Sequence, residues 1–194
     1  MLMTPVTPPA IGAGSSGWRP MEAHRQLGRS RLYLAGPLGY SEAGRHFHDT
    51  VLVPFLSSLG YEVLDPWALA DPMMLDAVEQ MPPGPARHDA WRALSRQIGA
   101  TNRAAIDAAD AVVAVLDGSD VDSGTAAEIG YAFARGKRVI GYRGDSRVSA
   151  DNEAGLVNVQ VEFFIRESGG TIVDRYRDLA ASLDANRPLP GGVA

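Results

Sequence analysis

Two carboxylates, Asp122 and Glu128, lie on either side of a glycine in the segment DVDSGTAAEIGYAFARGK, residues 120–137. Aspartate and glutamate carboxylates act as nucleophiles in enzymes that form a covalent glycosyl intermediate. Glu128 is therefore a candidate nucleophile toward an electrophilic carbon, and sugar chemistry is one natural function for it. The alternative is structural, because a carboxylate here would also complement a helix end or pair with Lys137 or an arginine. Position alone leaves both interpretations open.

The elements around this segment form a predicted strand, loop, helix and strand. Residues 111–116, AVVAVL, are short, apolar and rich in valine, as expected of a strand buried on both faces of a parallel sheet. The polar stretch 117–124 predicts a loop, and a helix with an apolar stripe runs from Thr125 until Gly136 ends it. Residues 138–142 predict the next strand. Chemistry would then lie just past the carboxyl end of the first strand.

This pattern places Glu128 near the first turn of the helix, with Ser123 or Thr125 as the helix cap. The exposed amides of a first turn favour a negative charge. We therefore expect Glu128 to be ionised unless it is buried against apolar groups.

The alternation of strands and helices extends over most of the chain. A first strand, 31–35, leads into the turn at Gly36, and an amphipathic helix follows over 42–59, where Pro54 predicts a kink. Phe47, Val51, Phe55 and Leu59 form the predicted apolar face of that helix. The remaining predicted segments are a strand at 61–64, an irregular insertion at 68–87 that is a candidate lid or partner contact, a helix at 90–108, and a fifth strand within 157–164 or 171–173. The pattern predicts an α/β, doubly wound, mainly parallel five-stranded sheet flanked by helices.

Composition narrows the class of protein. The chain has 194 residues, 45% of them hydrophobic, and a net charge of −5, which favours one soluble domain with a sizeable core and no nucleic-acid partner. It contains no cysteine, which excludes disulfides and thiolate chemistry, and no apolar run long enough to span a membrane. We expect a flexible N-terminal arm at 1–29, a single domain at 30–187, a C-terminal tail at 188–194, and a cytoplasmic location.

The other side chains with chemical potential have structural interpretations beside the functional ones. The spacing of His46, His48 and His88 does not suggest a shared metal, so we predict no metal and no cofactor. Trp67 and Trp91 could stack on a base, although filling the core is the commoner role of such residues.

A resemblance joins two of these segments. RLYLAGP at 31–37, together with DVDSGTAAEIGYAFARGKRVIGY at 120–142, resembles the nucleoside 2-deoxyribosyltransferase family. The resemblance implies a flavodoxin-like fold and the exchange of a 2-deoxyribosyl group between nucleobases. In family members the carboxylate that matches Glu128 attacks C1′ of a deoxynucleoside, expels the base and leaves a covalent deoxyribosyl enzyme, which a second base then attacks. The implied partners are therefore a deoxynucleoside and a free nucleobase.

The resemblance also implies roles for residues around the glutamate. The carboxylate that matches Asp122 binds the 5′-hydroxyl of the sugar, and the hydroxyl that matches Tyr33 lies near the catalytic carboxylate. Gly36 and Pro37 would shape the pocket through their backbone, and Gly124 would contribute to substrate binding. Asp122 as a helix cap and Tyr33 as a core residue are the structural alternatives.

Two asparagines carry less direct expectations. Asn102 matches a position at which some members have an aspartate thought to protonate the leaving base and others have asparagine, so Asp107 or water is the alternative proton source here. Asn158 resembles the asparagine that family oligomers insert into a neighbouring subunit's site. The resemblance therefore implies a homo-oligomer in which Asn158 contributes to the neighbouring site.

Two other functions stay open. A hydrolase would use the same intermediate but admit water, and a non-catalytic module would bind nucleosides without turnover. Related hydrolases of deoxynucleoside 5′-monophosphates carry a small hydroxyl residue in place of Asp122, whose charge would repel a phosphate. This favours nucleosides over nucleotides, although Ser41 and Arg45 could in principle hold a phosphate at the start of the first helix.

Overall fold

A five-stranded parallel sheet forms the centre of the protein. The computed structural model describes residues 29–147 and 149–184. The strands are β1 (Arg31–Ala35), β2 (Glu62–Leu64), β3 (Ala111–Val115), β4 (Arg138–Tyr142) and β5 (Ile172–Val173). Their order across the sheet is β2-β1-β3-β4-β5, and every neighbouring pair is parallel. The predicted α/β fold is confirmed, with an all-parallel sheet where a mainly parallel one was expected.

Side chains of the central strands alternate between two cores. Tyr33 and Val112 face the core that contains Ile129 and Ile165, whereas Leu32 belongs to the opposite core. Because both faces of the strands are covered, β1 and β3 are apolar throughout, and this burial explains why their sequences lack a polar alternation.

Helices cover both faces of the sheet. The α-helices are α1 (Glu42–Phe47), α2 (Val53–Ser58), α3 (Pro66–Leu69), α4 (Pro72–Glu79), α5 (Pro85–Ala108), α6 (Ser123–Ala134), α7 (Val159–Glu167) and α8 (Leu179–Asp184), with 3₁₀ turns at Leu38–Tyr40 and Tyr176–Asp178. The expectation of an irregular insertion at 68–87 is wrong, because α3, α4 and the start of α5 occupy this region. Asp65 and Asp71 cap α3 and α4, and each cap is followed by a proline, which suits the first position of a helix.

The helix predicted over 42–59 is interrupted. A π-helical stretch, His48–Leu52, separates α1 from α2, and the amide of Val53 donates to the carbonyl of His48. Pro54 follows directly and has no amide to donate, so the widened turn accommodates its position. The shift also turns Leu52 and Leu56 fully into the core, whereas the predicted face that includes Phe47 and Phe55 is only partly buried.

The strand order produces a switch point between β1 and β3. From β1 the chain continues to β2 on one side, and from β3 it continues to β4 on the other side. These opposite directions leave a crevice beyond the carboxyl ends of β1 and β3. The turn after β1 and the loop before α6 border this crevice. The amide of Arg31 donates to Asp110 Oδ2 at 2.8 Å and fixes the opposite end of the same strand pair.

Parts of the predicted domain organisation lie outside the residues that the structure describes. Residues 1–28 of the predicted arm, and the whole tail at 188–194, lie outside the described residues, as do 185–187 of the predicted domain. Among the helices that the structure describes, none has the length and apolar character needed to cross a membrane.

Candidate active site

Glu128 lies at the switch point with two hydrogen-bond donors on one carboxylate oxygen. The hydroxyl of Tyr33 donates to Oε1 at 2.6 Å, and Asn102 Nδ2 donates to the same oxygen at 3.4 Å. Three elements therefore meet at this carboxylate, since Tyr33 is on β1, Asn102 on α5 and Glu128 on α6. Because α6 begins at Ser123, Glu128 lies in its second turn, next to the first turn near which it was predicted.

The structural alternative for Glu128 is not supported by its neighbours. Lys137 Nζ donates instead to the carbonyls of Asp107 and Ala109, at 2.9 and 2.7 Å. Between residues 29 and 184, leaving out 148, no ion pair joins Glu128 to an arginine or a lysine. Its carboxylate is half-buried without a cation beside it.

This environment shifts the acid–base equilibrium of Glu128. Burial raises its pKa, and the nearby charge of Asp122 adds to this effect, whereas the hydrogen bonds from Tyr33 and Asn102 lower it. The net direction is upward from the ordinary value of a glutamate. Burial and the adjacent Glu128 raise the pKa of Tyr33 far above that of a free tyrosine, so Tyr33 stays a protonated donor.

The structure places the ring of Tyr33 in the core and its hydroxyl against Glu128. Its ring is fully buried among the residues of the core between β1 and α6, and its hydroxyl reaches the carboxylate at the rim of this core. A buried phenol needs a hydrogen-bond partner, and Glu128 is that partner.

Asp122 is the N-cap of α6. Its Oδ2 accepts hydrogen bonds from the amide of Thr125 at 2.9 Å and from Thr125 Oγ1 at 3.2 Å. The expectation that Ser123 or Thr125 is the cap is therefore wrong, since Ser123 is the first helical residue. Asp122 nevertheless has a second carboxylate oxygen, so its capping role leaves that oxygen available to a ligand.

A cavity of about 340 Å³ opens over these side chains. Its volume falls within the range of small-molecule sites, which is about 300–1,000 Å³. Its wall combines glycines and polar residues with apolar and aromatic ones. The first group is Gly36, Asn102, Asp122, Gly124, Thr125 and Glu128, and the second is Tyr40, Pro66, Trp67, Ala70, Leu75 and Ile98. No lysine or arginine is among these twelve described residues.

Trp67 is one of the aromatic residues of the apolar wall. Its indole Nε1 donates to the carbonyl of Gly36 at 3.2 Å, and its ring meets Tyr40 edge-on with centroids 4.8 Å apart. A Cβ atom on Gly39 would lie 2.2 Å from the indole, so the ring packs directly on the backbone of this turn. Trp67 is 39% exposed and Tyr40 73%, which leaves the mouth of the cavity open to solvent.

The sequence also matches a known protein family. A family model described as nucleoside 2-deoxyribosyltransferase matches residues 32–169. The chain belongs to the nucleoside 2-deoxyribosyltransferase family. This match spans β1 to the end of α7, and it includes every side chain that meets Glu128.

Solved structures share the fold at low sequence identity. A conserved protein from Enterococcus faecalis V583 is 23% identical with a TM-score of 0.60, covering 81% of this chain and 98% of that chain. The 2-desoxiribosyltransferase from Leishmania mexicana is 21% identical with a TM-score of 0.50, covering 80% and 95%. The 2-deoxyribosyltransferase from Bacillus psychrosaccharolyticus is 20% identical with a TM-score of 0.51, covering 82% and 93%. A search of curated proteins finds no match. The likeness establishes the flavodoxin-like fold.

Some residues suggested by the family resemblance lie away from the cavity wall. Pro37 belongs to the turn beside Gly36 but is not among the lining residues. Asn158 caps α7, with its Oδ1 accepting from the amides of Gln160 and Val161 at 3.0 and 3.4 Å. Asp107 does not line the cavity either.

Three further candidates also have structural partners elsewhere. Asp107 accepts hydrogen bonds from Tyr131 and Arg135, so it is not placed to protonate a base in the cavity. Ser41 caps α1 through the amide of Gly44, and Arg45 donates to the carbonyl of Gly39. Within residues 29–147 and 149–184, no group of three or more His, Cys, Asp or Glu side chains is arranged to hold a metal ion.

Sequence reasoning missed most of the apolar wall. Leu75 and Ile98 line the cavity because α5, which carries Ile98, packs against both α3 and α4. One local signal was present, since Asp65-Pro66-Trp67 has the pattern of a helix cap followed by a proline. That pattern predicts a helix start that would have placed Trp67 on an ordered element.

Proposed function

We propose that this protein transfers a 2-deoxyribosyl group from a deoxynucleoside to a free nucleobase through a covalent intermediate on Glu128. The observation that carries this proposal is the carboxylate of Glu128, which lines a cavity of about 340 Å³ and receives a hydrogen bond from Tyr33. Among the described residues no cation pairs with it. Membership of the nucleoside 2-deoxyribosyltransferase family supports the same chemistry.

The geometry supports different roles for the two oxygens of Glu128: Oε1 accepts hydrogen bonds, and Oε2 is the proposed nucleophile. Both donors, Tyr33 and Asn102, bond to Oε1, and among the described residues Oε2 accepts no hydrogen bond. In the proposed first step an electron pair of Oε2 forms a bond to C1′ while the C1′–N bond breaks and its pair goes to the leaving base. In the second step a nitrogen of the incoming base attacks C1′ while the C1′–Oε2 bond breaks and its electron pair returns to Glu128. The proton of the attacking nitrogen passes to water, which balances the proton that the leaving base takes up.

The leaving base needs a proton, and Asn102 cannot supply one as an acid. An amide donates a hydrogen bond but does not ionise near neutral pH. Asp107 is engaged by Tyr131 and Arg135 away from the cavity. We therefore assign this proton to water that enters through the open mouth of the cavity.

The charge of the wall favours nucleosides over nucleotides. Asp122 presents a carboxylate, and no lysine or arginine is among the twelve lining residues. A 5′-hydroxyl can donate to the oxygen of Asp122 that does not cap the helix, whereas a 5′-phosphate would be repelled. Ser41 and Arg45 do not change this balance, because neither lines the cavity.

We also propose a homo-oligomer in which Asn158 contributes to a neighbouring site. Its Oδ1 caps α7, so the amide nitrogen is the part of the side chain that could serve a second subunit. Leu156, Val159 and Phe163, close to Asn158 in the chain, are large apolar side chains left exposed.

A hydrolase is the second candidate function, and the exposure of the cavity mouth favours it. Tyr40 and Trp67 leave one side of the cavity accessible to water, which could intercept the deoxyribosyl intermediate.

Chromatography of 2′-deoxyinosine incubated with the protein, with and without adenine, separates these functions. Formation of 2′-deoxyadenosine only when adenine is present is the expected result. Release of hypoxanthine and free deoxyribose regardless of adenine would identify a hydrolase, and cleavage of deoxynucleoside monophosphates alone would contradict the role of Asp122. Glu128→Ala should abolish all turnover, whereas Glu167→Ala, an exposed glutamate on α7, should leave it intact. Turnover in Glu128→Ala would overturn the nucleophile.

A further inference from the structure

His48 is a buried titratable side chain that the proposed chemistry does not use. The residue is only 4% exposed and lies at the start of the π-helical stretch between α1 and α2. Its Nδ1 is 2.7 Å from Asp49 Oδ1, and its Nε2 is 3.4 Å from Asp65 Oδ1, the separation of an ion pair and not of a short hydrogen bond. Nδ1 forms a hydrogen bond with Asp49, whereas Nε2 is buried without a hydrogen-bond partner among the described residues, which is costly unless a nearby charge compensates.

Asp65 connects this ring to the wall of the cavity. The same oxygen, Oδ1, accepts the amide of Trp67 at 3.0 Å and so caps the short helix α3. The side chain of Asp65 is nearly buried, at 12% exposure. His48 therefore contacts the carboxylate of Asp65, the residue that caps the start of α3.

Trp67 is held at its other end by the turn after β1. Its indole donates to the carbonyl of Gly36 and packs on Gly39, where no side chain stands in the way. A helix as short as α3 has little stability of its own. The position of the indole thus depends on two contacts of Trp67. Its backbone amide is bonded to Asp65, and its ring nitrogen is bonded to the carbonyl of Gly36.

We propose that His48 is a positioning residue that holds Trp67, through Asp65, in the cavity wall against which the nucleobase lies. The part of this proposal that concerns the base rests on the proposed function. The part that concerns Trp67 does not, because it follows from the contacts of His48, Asp65 and Trp67 alone. Base stacking on an indole contributes equally before and during bond breaking, so the expected effect is on binding and not on the chemical step.

Charge supports this arrangement. Asp65 raises the pKa of His48 above its ordinary value, and Asp49 adds to this effect while burial opposes it. The two carboxylates therefore stabilise the protonated form of His48 more than water does for a free histidine. Loss of the ring would leave Asp65 as a nearly buried carboxylate without its histidine neighbour.

Nuclear magnetic resonance of the indole Nε1–H groups tests the positioning directly and needs no activity. The chain has three tryptophans, and the signal of Trp67 is assigned by its loss in Trp67→Phe. In His48→Phe we expect the Trp67 signal to move toward the position of a solvent-exposed indole and to exchange faster with water. Leu56→Val, which removes one methylene from the core beside α2, is the control for a general loss of stability and should leave the signal in place.

A second variant covers the case in which His48→Phe does not fold. Asp65→Asn keeps a side chain that caps helices well but removes the charge that pairs with His48. It should move the Trp67 signal in the same direction. An unchanged signal in every folded variant of His48 and Asp65 would overturn the proposal.

Kinetics of deoxyribosyl transfer test the consequence for binding. We expect His48→Phe to raise KM for the free base by about fivefold to tenfold with kcat changed by less than about twofold, because stacking stabilises ground and transition states alike. A fall in kcat at constant KM would contradict the proposal. If the wild-type protein transfers no deoxyribose, the proposed function fails, and the indole signal still decides whether His48 positions Trp67.

Discussion

Tyr33 and Glu128 share a hydrogen bond whose effect on the carboxylate is opposite to that of burial. Burial and Asp122 raise the pKa of Glu128, and Tyr33 lowers it. A nucleophilic carboxylate must be ionised, so the pH at which activity begins depends on the balance of these effects.

Tyr33→Phe should move the acid limb of the kcat/KM profile to higher pH. The variant removes the donor that stabilises the ionised form, so more of Glu128 is protonated at a given acidic pH. The profile of deoxynucleoside turnover measured from about pH 4 to pH 8 would show this shift. Tyr131→Phe is the matched control, because that phenol bonds to Asp107 outside the cavity. An acid limb at the wild-type pH in Tyr33→Phe would show that the hydrogen bond does not tune Glu128.

Asp122 combines a cap and a proposed substrate contact, and two substitutions separate them. Asp122→Ser keeps a side chain that caps helices well, so its free energy of unfolding should change by less than about 0.5 kcal/mol, whereas Asp122→Ala should lose about 1 kcal/mol. Both should weaken kcat/KM for a deoxynucleoside by about 1–3 kcal/mol, since both remove the charged acceptor. Denaturant unfolding and turnover assays measure the two effects. Wild-type turnover in Asp122→Ser would confine Asp122 to its structural role.

At this scale the sequence predicted the polar half of the site and missed the apolar half. Glu128 and Tyr33 could be found because the family motifs contain both and because strand ends meet at a switch point. The cap could not be told apart from its neighbours, since Asp122, Ser123 and Thr125 are all good capping residues. Trp67 was considered for stacking, but its contact with Gly36 joins segments far apart in the chain.

At the scale of elements, the turn between α7 and β5 depends on a close approach of two backbones. A Cβ atom on Gly170 would lie 1.7 Å from the carbonyl oxygen of Val139 in β4. The neighbouring atom belongs to the backbone of β4 and cannot move aside as the end of a flexible side chain could. Position 170 therefore excludes any residue larger than glycine.

Gly170→Ala should therefore lower the free energy of unfolding by about 3 kcal/mol or more, at or above the upper end of the usual cost of overpacking. Gly99→Ala provides the opposite control. No atom lies within contact distance of a Cβ there, and in the interior of α5 alanine should stabilise by about 0.5–1 kcal/mol. Denaturant unfolding of both variants checks the prediction. Equal stability of the Gly170 variant and the wild type would show that the turn can shift.

Strands were easier to predict than the helices that cover them. β1 and β4 have the predicted bounds because their apolar runs end at clear breaks. The helices α3 and α4 were missed because prolines suggested a loop, although each proline stands at a first helical position. The π-helical stretch has no period of its own in the sequence, so its effect on which side chains face the core could not be foreseen.

At the scale of the whole molecule, the proposed role of Asn158 predicts complementation between subunits. Asn158→Ser should keep the cap of α7 but remove the amide, and Glu128→Ala removes the nucleophile. Neither variant alone should be active. Mixed oligomers should regain activity, because one site then pairs an intact Glu128 with an intact Asn158 from the other chain. Sedimentation of the wild-type protein provides the oligomeric state, and a monomer, or mixtures without activity, would contradict this arrangement.

The position of β1 inside the sheet also has a consequence for the order of folding. β1 pairs with β3 on one side, and the bond from Arg31 to Asp110 joins residues 79 positions apart. Until β3 has left the ribosome, a nascent chain can pair β1 only with β2 and presents an apolar strand with an open edge. Folding should thus be slower than in proteins dominated by local contacts, and aggregation during synthesis should begin from the edge that β3 later covers.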